Sequence, residues 1–384
     1  MSFHPVSASD RYNGSDIAHR EKILVTGGRK SGKSSCIKSV FQNLPVKDVT
    51  YIGITKKVEK IDYDTIVPLQ IYDTPASLDL DQLDVPLSAF STLVYVVDMQ
   101  QEDTYHEAVR QAAHIILRGY FANPAMNFFV FIHKAESLSE DYRDENYSEI
   151  QRALTDELDD FHYMSLQDYT TLDLCDRETT ISIFNHLTSE IKYDMTSVHD
   201  VSLRDAWGKV VQGIMEMLPA VEALLLNFTE TSGMDNSYLF DLRSRVVLAT
   251  DNRHRNEATM EQVVDYLSTF LQFREFYKVL RSPPALQSPD TEVVGKDEDA
   301  SVDKDEDASE PRQWWEGEDT DEAWMTHSIQ LMPKCTITLW QFTPQLALVA
   351  LLHTDTWNAR RGMIEYNLTF LRQGVRRILI EAEL

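Results

Sequence analysis

Cysteine is scarce in this chain of 384 residues: Cys36, Cys175 and Cys335 are the whole set. An odd number at wide spacing provides neither a disulfide framework nor a metal-ligand pattern, so buried free thiols in a reducing compartment are expected. Positive charge is also short, with 36 Lys and Arg against 62 Asp and Glu, a net charge of -26 and a pI near 4.7. A surface of that sign repels nucleic acid and anionic membranes, and neither is an expected partner. No apolar run approaches the length of a membrane span. Met1-Ser2-Phe3-His4-Pro5 carries no apolar leader and no acylation glycine, and Glu381-Ala382-Glu383-Leu384 carries no prenylation cysteine. Membrane residence is therefore expected only through a partner.

What the sequence does hold is Gly27-Gly28-Arg29-Lys30-Ser31-Gly32-Lys33-Ser34, which fits GxxxxGK[ST]. The run Lys22-Ile23-Leu24-Val25-Thr26 before it predicts a short buried strand. The stretch from Ser35 to Leu44, apolar at Ile37, Val40, Phe41 and Leu44, predicts a helix after it. In that context the loop is a phosphate cradle: successive backbone N–H groups and the helix N-terminus face an anion. Lys33 reaches the β- and γ-phosphates, and Ser34 is placed to hold Mg²⁺. Arg29, Lys30, Ser31, Gly32 and Ser35 complete the candidate nucleotide-binding loop.

A polar stretch from Pro45 to Lys60 follows, then Ile66 to Asp73, a strand with an aspartate at its C-terminal tip. In nucleotide-dependent P-loop proteins an acid there orders Mg²⁺, and a threonine in the preceding loop ligands the metal when a γ-phosphate is present. Asp73 and Thr55 fit those places, with Thr50 also near; as a strand-end residue, Asp73 also fits a plain turn. Thr55 joins Lys33 as a candidate catalytic group. Thr92 to Asp98 reads as a buried parallel strand, Glu107 to Gly119 as a helix, and Asn127 to Ile132 as another buried strand leading into His133-Lys134-Ala135-Glu136. This alternation predicts a parallel α/β sheet with its ligands beyond the C-terminal ends of the strands. A polar helix is expected over Glu149 to Phe161, irregular chain to about His186, a strand and turn over Lys192 to Val198, and a helix over Ser202 to Leu218 closed by Pro219.

After a linker helix, Ala220 to Phe228, a second domain opens with two strands around a tight turn between Tyr238 and Thr250. A helix is expected over Met260 to Val279, strands over Thr336 to Phe342 and Leu346 to Leu352, and a last helix from Arg361 to Leu379. Between Asp290 and Glu322 stand fifteen acids against Lys296, Lys304 and Arg312. Residues 282–326 are expected to be a disordered acidic insert. Trp314, Trp315 and Trp324 within it supply apolar anchors for docking, or the segment is a plain spacer. The expected division is a flexible arm over 1–20, a nucleotide-binding domain over 21–218, and an α+β domain over 219–281 and 327–384. That second domain has no acid, base or nucleophile constellation, so pairing with another protein is its expected work.

Gly27 to Ser35, read as GxRxSGKSS, together with Phe131-Ile132-His133-Lys134, Thr196-Ser197 and Arg361-Gly362-Met363-Ile364-Glu365-Tyr366-Asn367, resembles the Rag family of small GTPases, in its RagC/RagD branch and its fungal members. The histidine in place of the usual asparagine of NKxD is what resembles this branch in particular. The resemblance spans both domains. It implies an α/β P-loop GTPase domain, a parallel-rich sheet with helices on both faces, followed by an α+β roadblock or longin-like dimerisation domain. It also implies GTP/GDP and Mg²⁺ as ligands and a RagA-like GTPase as heterodimer partner. Further implied partners are a vacuolar or lysosomal scaffold complex, a GTPase-activating protein and the TOR kinase complex, at the cytosolic face of the vacuole or lysosome membrane. By the same resemblance His133, Lys134, Glu136, Thr196 and Ser197 read the base. A carboxylate at Glu136 accepts the paired N–H donors of guanine, which adenine does not present in that arrangement.

Two departures bear on activity. Glu136 stands where the family has aspartate, one methylene shorter. Asp73 is followed by Thr74-Pro75-Ala76-Ser77 rather than Pro-Gly-Gln, so a side chain at Ala76 stands where a backbone N–H should approach the γ-phosphate, and Ser77 cannot orient water as glutamine does. Weak intrinsic hydrolysis dependent on an activating protein is the expectation. The alternatives are a GTP-binding scaffold deficient in hydrolysis and an ATP-using P-loop enzyme.

Overall fold

A computed structural model describes residues 20–100, 105–160, 177–254, 257–281, 325–332 and 334–382. The first sheet is six-stranded in the order β2-β3-β1-β4-β5-β6, with β1 Glu21–Gly27, β2 Glu59–Asp64, β3 Pro68–Asp73, β4 Thr92–Asp98, β5 Asn127–His133 and β6 Ile191–Thr196. All its neighbours pair in parallel except β2, which runs antiparallel to β3 at the edge. Alternate residues of each strand face opposite sides. Ile23, Val25, Val94, Val96, Phe129 and Phe131 meet α1 (Lys33–Phe41) and α6 (Ser202–Ile214) on one side. Leu24, Leu93, Tyr95, Phe128 and Val130 meet α3 (Tyr105–Ala122), α4 (Glu140–Asp160) and α5 (Arg177–Glu190) on the other. Such a doubly covered sheet needs apolar residues on both faces, hence the near-continuous runs at Thr92 to Asp98 and Asn127 to Ile132. A short α2 (Val46–Val49) follows α1.

The second sheet is five-stranded and antiparallel, in the order β8-β7-β11-β10-β9: β7 Asn236–Asp241, β8 Val247–Thr250, β9 Thr326–Met332, β10 Cys335–Gln341 and β11 Leu346–His353. One face packs α8 (Glu257–Arg281) through Val263, Val264 and Leu267. The other packs α7 (Leu218–Ser232) and α9 (Thr354–Ala382) through Val221, Leu225, Ile364, Leu368 and Leu371. α7 and α9 lie close: a Cβ on Gly374 would stand 2.8 Å from Leu224 Cδ1.

The halves share a core. Phe41 of α1 stands edge-on to Tyr63 and to Trp207, at centroid distances of 4.9 and 4.8 Å. The hydroxyl of Tyr63 donates to the buried carboxylate Oδ2 of Asp241 at 2.5 Å, and Asn43 donates to the Arg243 carbonyl at 2.6 Å.

Several expectations are corrected. The strand Glu59–Asp64 was hidden in a polar stretch because only Ile61 and Tyr63 of it are buried. The stretch expected to be irregular to His186 contains helix α5, which among described side chains buries only Phe184 and Leu187 and so leaves a faint period. Pro219 does not close a helix at Leu218. α6 ends at Ile214, and Pro219 sits in the first turn of α7, where its missing N–H goes unneeded. α4 begins at Glu140, nine residues before the expected start, and α9 at Thr354. β9 begins at Thr326, inside the span assigned to the insert. Residues 282–324 of that insert, the three tryptophans, the arm over 1–19 and Cys175 lie outside the described residues. Cys36 is buried as expected, whereas Cys335 is only partly so.

Candidate functional site

Five parallel strands end on one side, and the loops that follow them build a cavity of about 460 Å³. β1 runs into the loop at Gly27, whose φ of 145° and closeness to Val96 exclude any side chain: a Cβ would lie 2.3 Å from the Val96 carbonyl oxygen. Gly32, at φ 100°, opens α1. Arg29, Lys30, Ser31, Gly32, Lys33, Ser34 and Ser35 all line the cavity, so the loop curls around it as the motif requires.

Lys33 folds back over the loop, donating to the carbonyls of Gly27 at 2.9 Å and Gly28 at 2.7 Å. Burial lowers its pKa to about 8, against the opposing pull of Asp73. An ammonium held this way gains full charge when an anion arrives. Below it three oxygens converge. Ser34 Oγ donates to Asp73 Oδ2 at 2.5 Å, Thr55 Oγ1 lies 2.7 Å from Ser34 Oγ, and Thr55 Oγ1 donates to Asp73 Oδ2 at 3.3 Å. Thr50 lines the same cavity, but Thr55 is the threonine that meets Ser34 and Asp73. Asp73 lies behind this pair, fully buried, and burial raises its pKa against the pull of Ser34, Lys33 and Thr55. Its second oxygen, Oδ1, is buried with no hydrogen-bond partner.

The other end of the cavity is made by the turn after β5. His133 is buried against Gly32, and its Nδ1 is 3.0 Å from Thr196 Oγ1. Burial lowers its pKa to about 4, so the imidazole is neutral. Lys134, at φ 67°, donates from Nζ to Asp98 Oδ2 at 2.5 Å, which lays its stem along the cavity. Glu136 lines the same end, with Oε1 3.8 Å from His199 Nε2. Thr196 and Ser197 do not line the cavity. They stand behind it: Thr196 holds His133, and the Ser197 hydroxyl accepts from the His199 backbone N–H at 3.0 Å.

The sequence-based assignment missed Val46, Val49, Ile52, Gly53, Ile54, Val198 and His199, which also line the cavity. Val46 and Val49 belong to the short α2, Ile52 to Ile54 to the loop before Thr55, and Val198 and His199 to the turn after β6, and none of them falls in a motif. Ala76 lines the cavity beside Thr74 and Pro75, while Ser77 points to solvent.

Residues 22–271 match the model of the Gtr1/RagA G protein conserved region. The human Ras-related GTP-binding protein C is 28% identical over 365 residues, which cover 94% of this chain and 77% of that protein. The GTP-binding protein gtr2 of Schizosaccharomyces pombe is 25% identical over 361 residues, 93% of this chain and 97% of its own. The same yeast's GTP-binding protein gtr1 is 25% identical over 249 residues, 62% of this chain and 71% of its own.

Proposed function

The chain belongs to the Gtr1/RagA G protein family, in its RagC-like branch, and from that premise we propose that it is the switch subunit of a Rag-type heterodimer. Like its family it is a GTP-binding GTPase. One observation carries the reading: a single cavity is lined by Lys33, Ser34 and Thr55 at one end, with Asp73 buried behind the two hydroxyls, and by His133, Lys134 and Glu136 at the other. Such a span suits the phosphates at one end and the base of the same nucleotide at the other.

The oxygen donors fit Mg²⁺, a hard cation with octahedral oxygen ligands, and the buried, unpartnered Asp73 Oδ1 is the oxygen that a cation would satisfy. Ser34 and Thr55 would hold the ion and Asp73 would order it; the ion's chemistry is to neutralise charge on the β- and γ-phosphates. Lys33 exchanges its two loop carbonyls for phosphate oxygens. Thr55 reports the γ-phosphate through the segment it sits in. Glu136 accepts from guanine's N–H edge while Lys134 covers a face of the base.

The second half, with strand order β8-β7-β11-β10-β9 and helices on both faces, is assigned here to dimerisation, as a roadblock-like unit pairing with a RagA-like GTPase. In support, edge strand β9 exposes Ile329 and Leu331, and a groove between it and α8 is lined by Tyr266, Phe270 and Phe273. Through that heterodimer the protein would bind a scaffold complex on the cytosolic face of the vacuole or lysosome. There it would relay amino-acid supply to the TOR kinase complex under control of an activating protein.

Ala76 favours a second reading, a GTP-holding scaffold subunit with little turnover, because its side chain enters the cavity where the family's glycine leaves the γ-phosphate an open N–H. Co-purification of the full chain with its partners, followed by identification of bound nucleotide, tests the main proposal: guanine nucleotide and a RagA-like companion are expected, and a preparation that takes up ATP as well as GTP overturns it. Single-turnover phosphate release with and without an activating protein separates switch from scaffold. Loss of the chain should abolish the TOR response to amino-acid withdrawal.

A further inference from the structure

A smaller cavity, of about 170 Å³, adjoins the nucleotide cavity and shares Val46, Val198 and His199 with it. The first turn of α6 brings Arg204 to it, and the β7–β8 turn brings Arg245, held at φ 61°. Both guanidiniums are half-buried, and the Nε of each is buried without a hydrogen-bond partner. Among the described residues the Arg245 side chain makes only a long hydrogen bond, from Nη1 to Ser268 Oγ at 3.4 Å. Burial pulls both arginines below their ordinary pKa, repulsion from Arg245 adds to this at Arg204, and no acidic side chain offsets either.

In a chain with 62 acids and 36 bases, that arrangement is costly unless something else neutralises it. Two acids do line the cavity, Asp200 and Asp265, and both are exposed. Asp200 already accepts from the N–H and hydroxyl of Ser202, and water screens both. The positive end of α6 adds to the arginines' field. The cavity is too small for a nucleotide, and guanidinium forks match the oxygens of a tetrahedral anion.

We propose that this cavity binds a phosphate group, free or as a small monoester, between Arg204 and Arg245. The site goes beyond nucleotide binding and does not depend on it. Arg204 belongs to the nucleotide-binding half and Arg245 to the second half, so a bound phosphate ties the two together. It also steadies Val198 and His199, which wall the nucleotide cavity.

The test uses the full chain with its partner subunit, loaded with GDP and Mg²⁺ so that the first loop is occupied. Inorganic phosphate and glycerol 3-phosphate are titrated calorimetrically at constant ionic strength. One saturable site is expected, weakened at least about tenfold in Arg204→Gln and in Arg245→Gln and unchanged in Arg243→Gln. Asp265→Asn should tighten it. Stronger binding of the monoester would point to an esterified ligand, and stronger binding of phosphate to the free ion. In phosphate-free buffer Arg204→Gln should keep or raise the melting temperature, because it removes repulsion. A lowered melting temperature there would make the guanidinium a structural group and overturn the proposal, as would the absence of saturable binding or undiminished binding by the double variant.

Discussion

The ring of His133 lies directly against Gly32: a Cβ built on that glycine would stand 2.4 Å from His133 Cδ2. The contact joins the glycine-rich loop at one end of the cavity to the turn after β5 at the other. Gly32 opens α1 at a φ that L side chains rarely adopt, and His133 is fixed from behind by Thr196. A change at one is therefore felt at the other.

Gly32→Ala should lose nucleotide binding and fold less stably. The left-handed backbone costs about 1–3 kcal/mol with a side chain, and the collision with His133 adds to it. The release rate of a fluorescent GDP analogue checks the first expectation, a urea melt the second. Rapid release without loss of stability would mean that the loop shifts and His133 does not resist.

GDP binding at pH 8 should take up about half a proton, because Lys33 titrates near 8 in the free chain and phosphate oxygens restore its ordinary range. The sign follows from a lowered pKa. Burial of the charged amine costs stability below about pH 8, and that cost fades as the pH rises toward the unfolded value of 10.5. Calorimetry in two buffers of different ionisation enthalpy measures the uptake, which should vanish at pH 6.

Tyr63→Phe should destabilise the chain by about 1–3 kcal/mol, since it takes a donor from a buried carboxylate. Asp241 keeps the Ser244 N–H and hydroxyl, both on the same oxygen, Oδ2. Its pKa is raised by burial, so the folded chain holds that proton more tightly than the unfolded one. The ionised form costs stability above the raised pKa, and the cost is relieved as the pH falls toward the ordinary carboxylate range. The parent should therefore gain on Asp241→Asn as the pH falls from neutrality toward the ordinary carboxylate range, as equilibrium melts at several pH values would show.

Ile329→Lys on the exposed edge of β9 should abolish co-purification with a RagA-like partner and leave GDP affinity within about twofold. A charge on an unpaired edge blocks strand pairing without touching the core. Retained pairing would move the interface to another face.

The glycine-rich loop was legible because glycines, lysine and serine at fixed offsets make a mould for an anion wherever a strand feeds a helix, and Arg29 to Ser35 all line the cavity. The buried strands at Thr92 and Asn127 were legible too, because a sheet covered on both faces tolerates no polar alternation. The edge strands β2 and β9 were not: β2 buries only Ile61 and Tyr63, and no described side chain of β9 is buried, so neither shows the apolar run of a core strand. Nor was helix α5, with its two buried apolar residues among the described side chains.

By itself, then, the sequence determined the glycine-rich loop between β1 and α1, the acid at the tip of β3 and the alternation of strand and helix, all of them consequences of short-range periodicity and backbone geometry. Tertiary structure alone decided which threonine meets Ser34, that Thr196 acts from behind His133, and that Arg204 and Arg245, 41 positions apart, face one cavity. These contacts join residues on different elements, and no local pattern records them because it is the packing of the two sheets through one core that creates them.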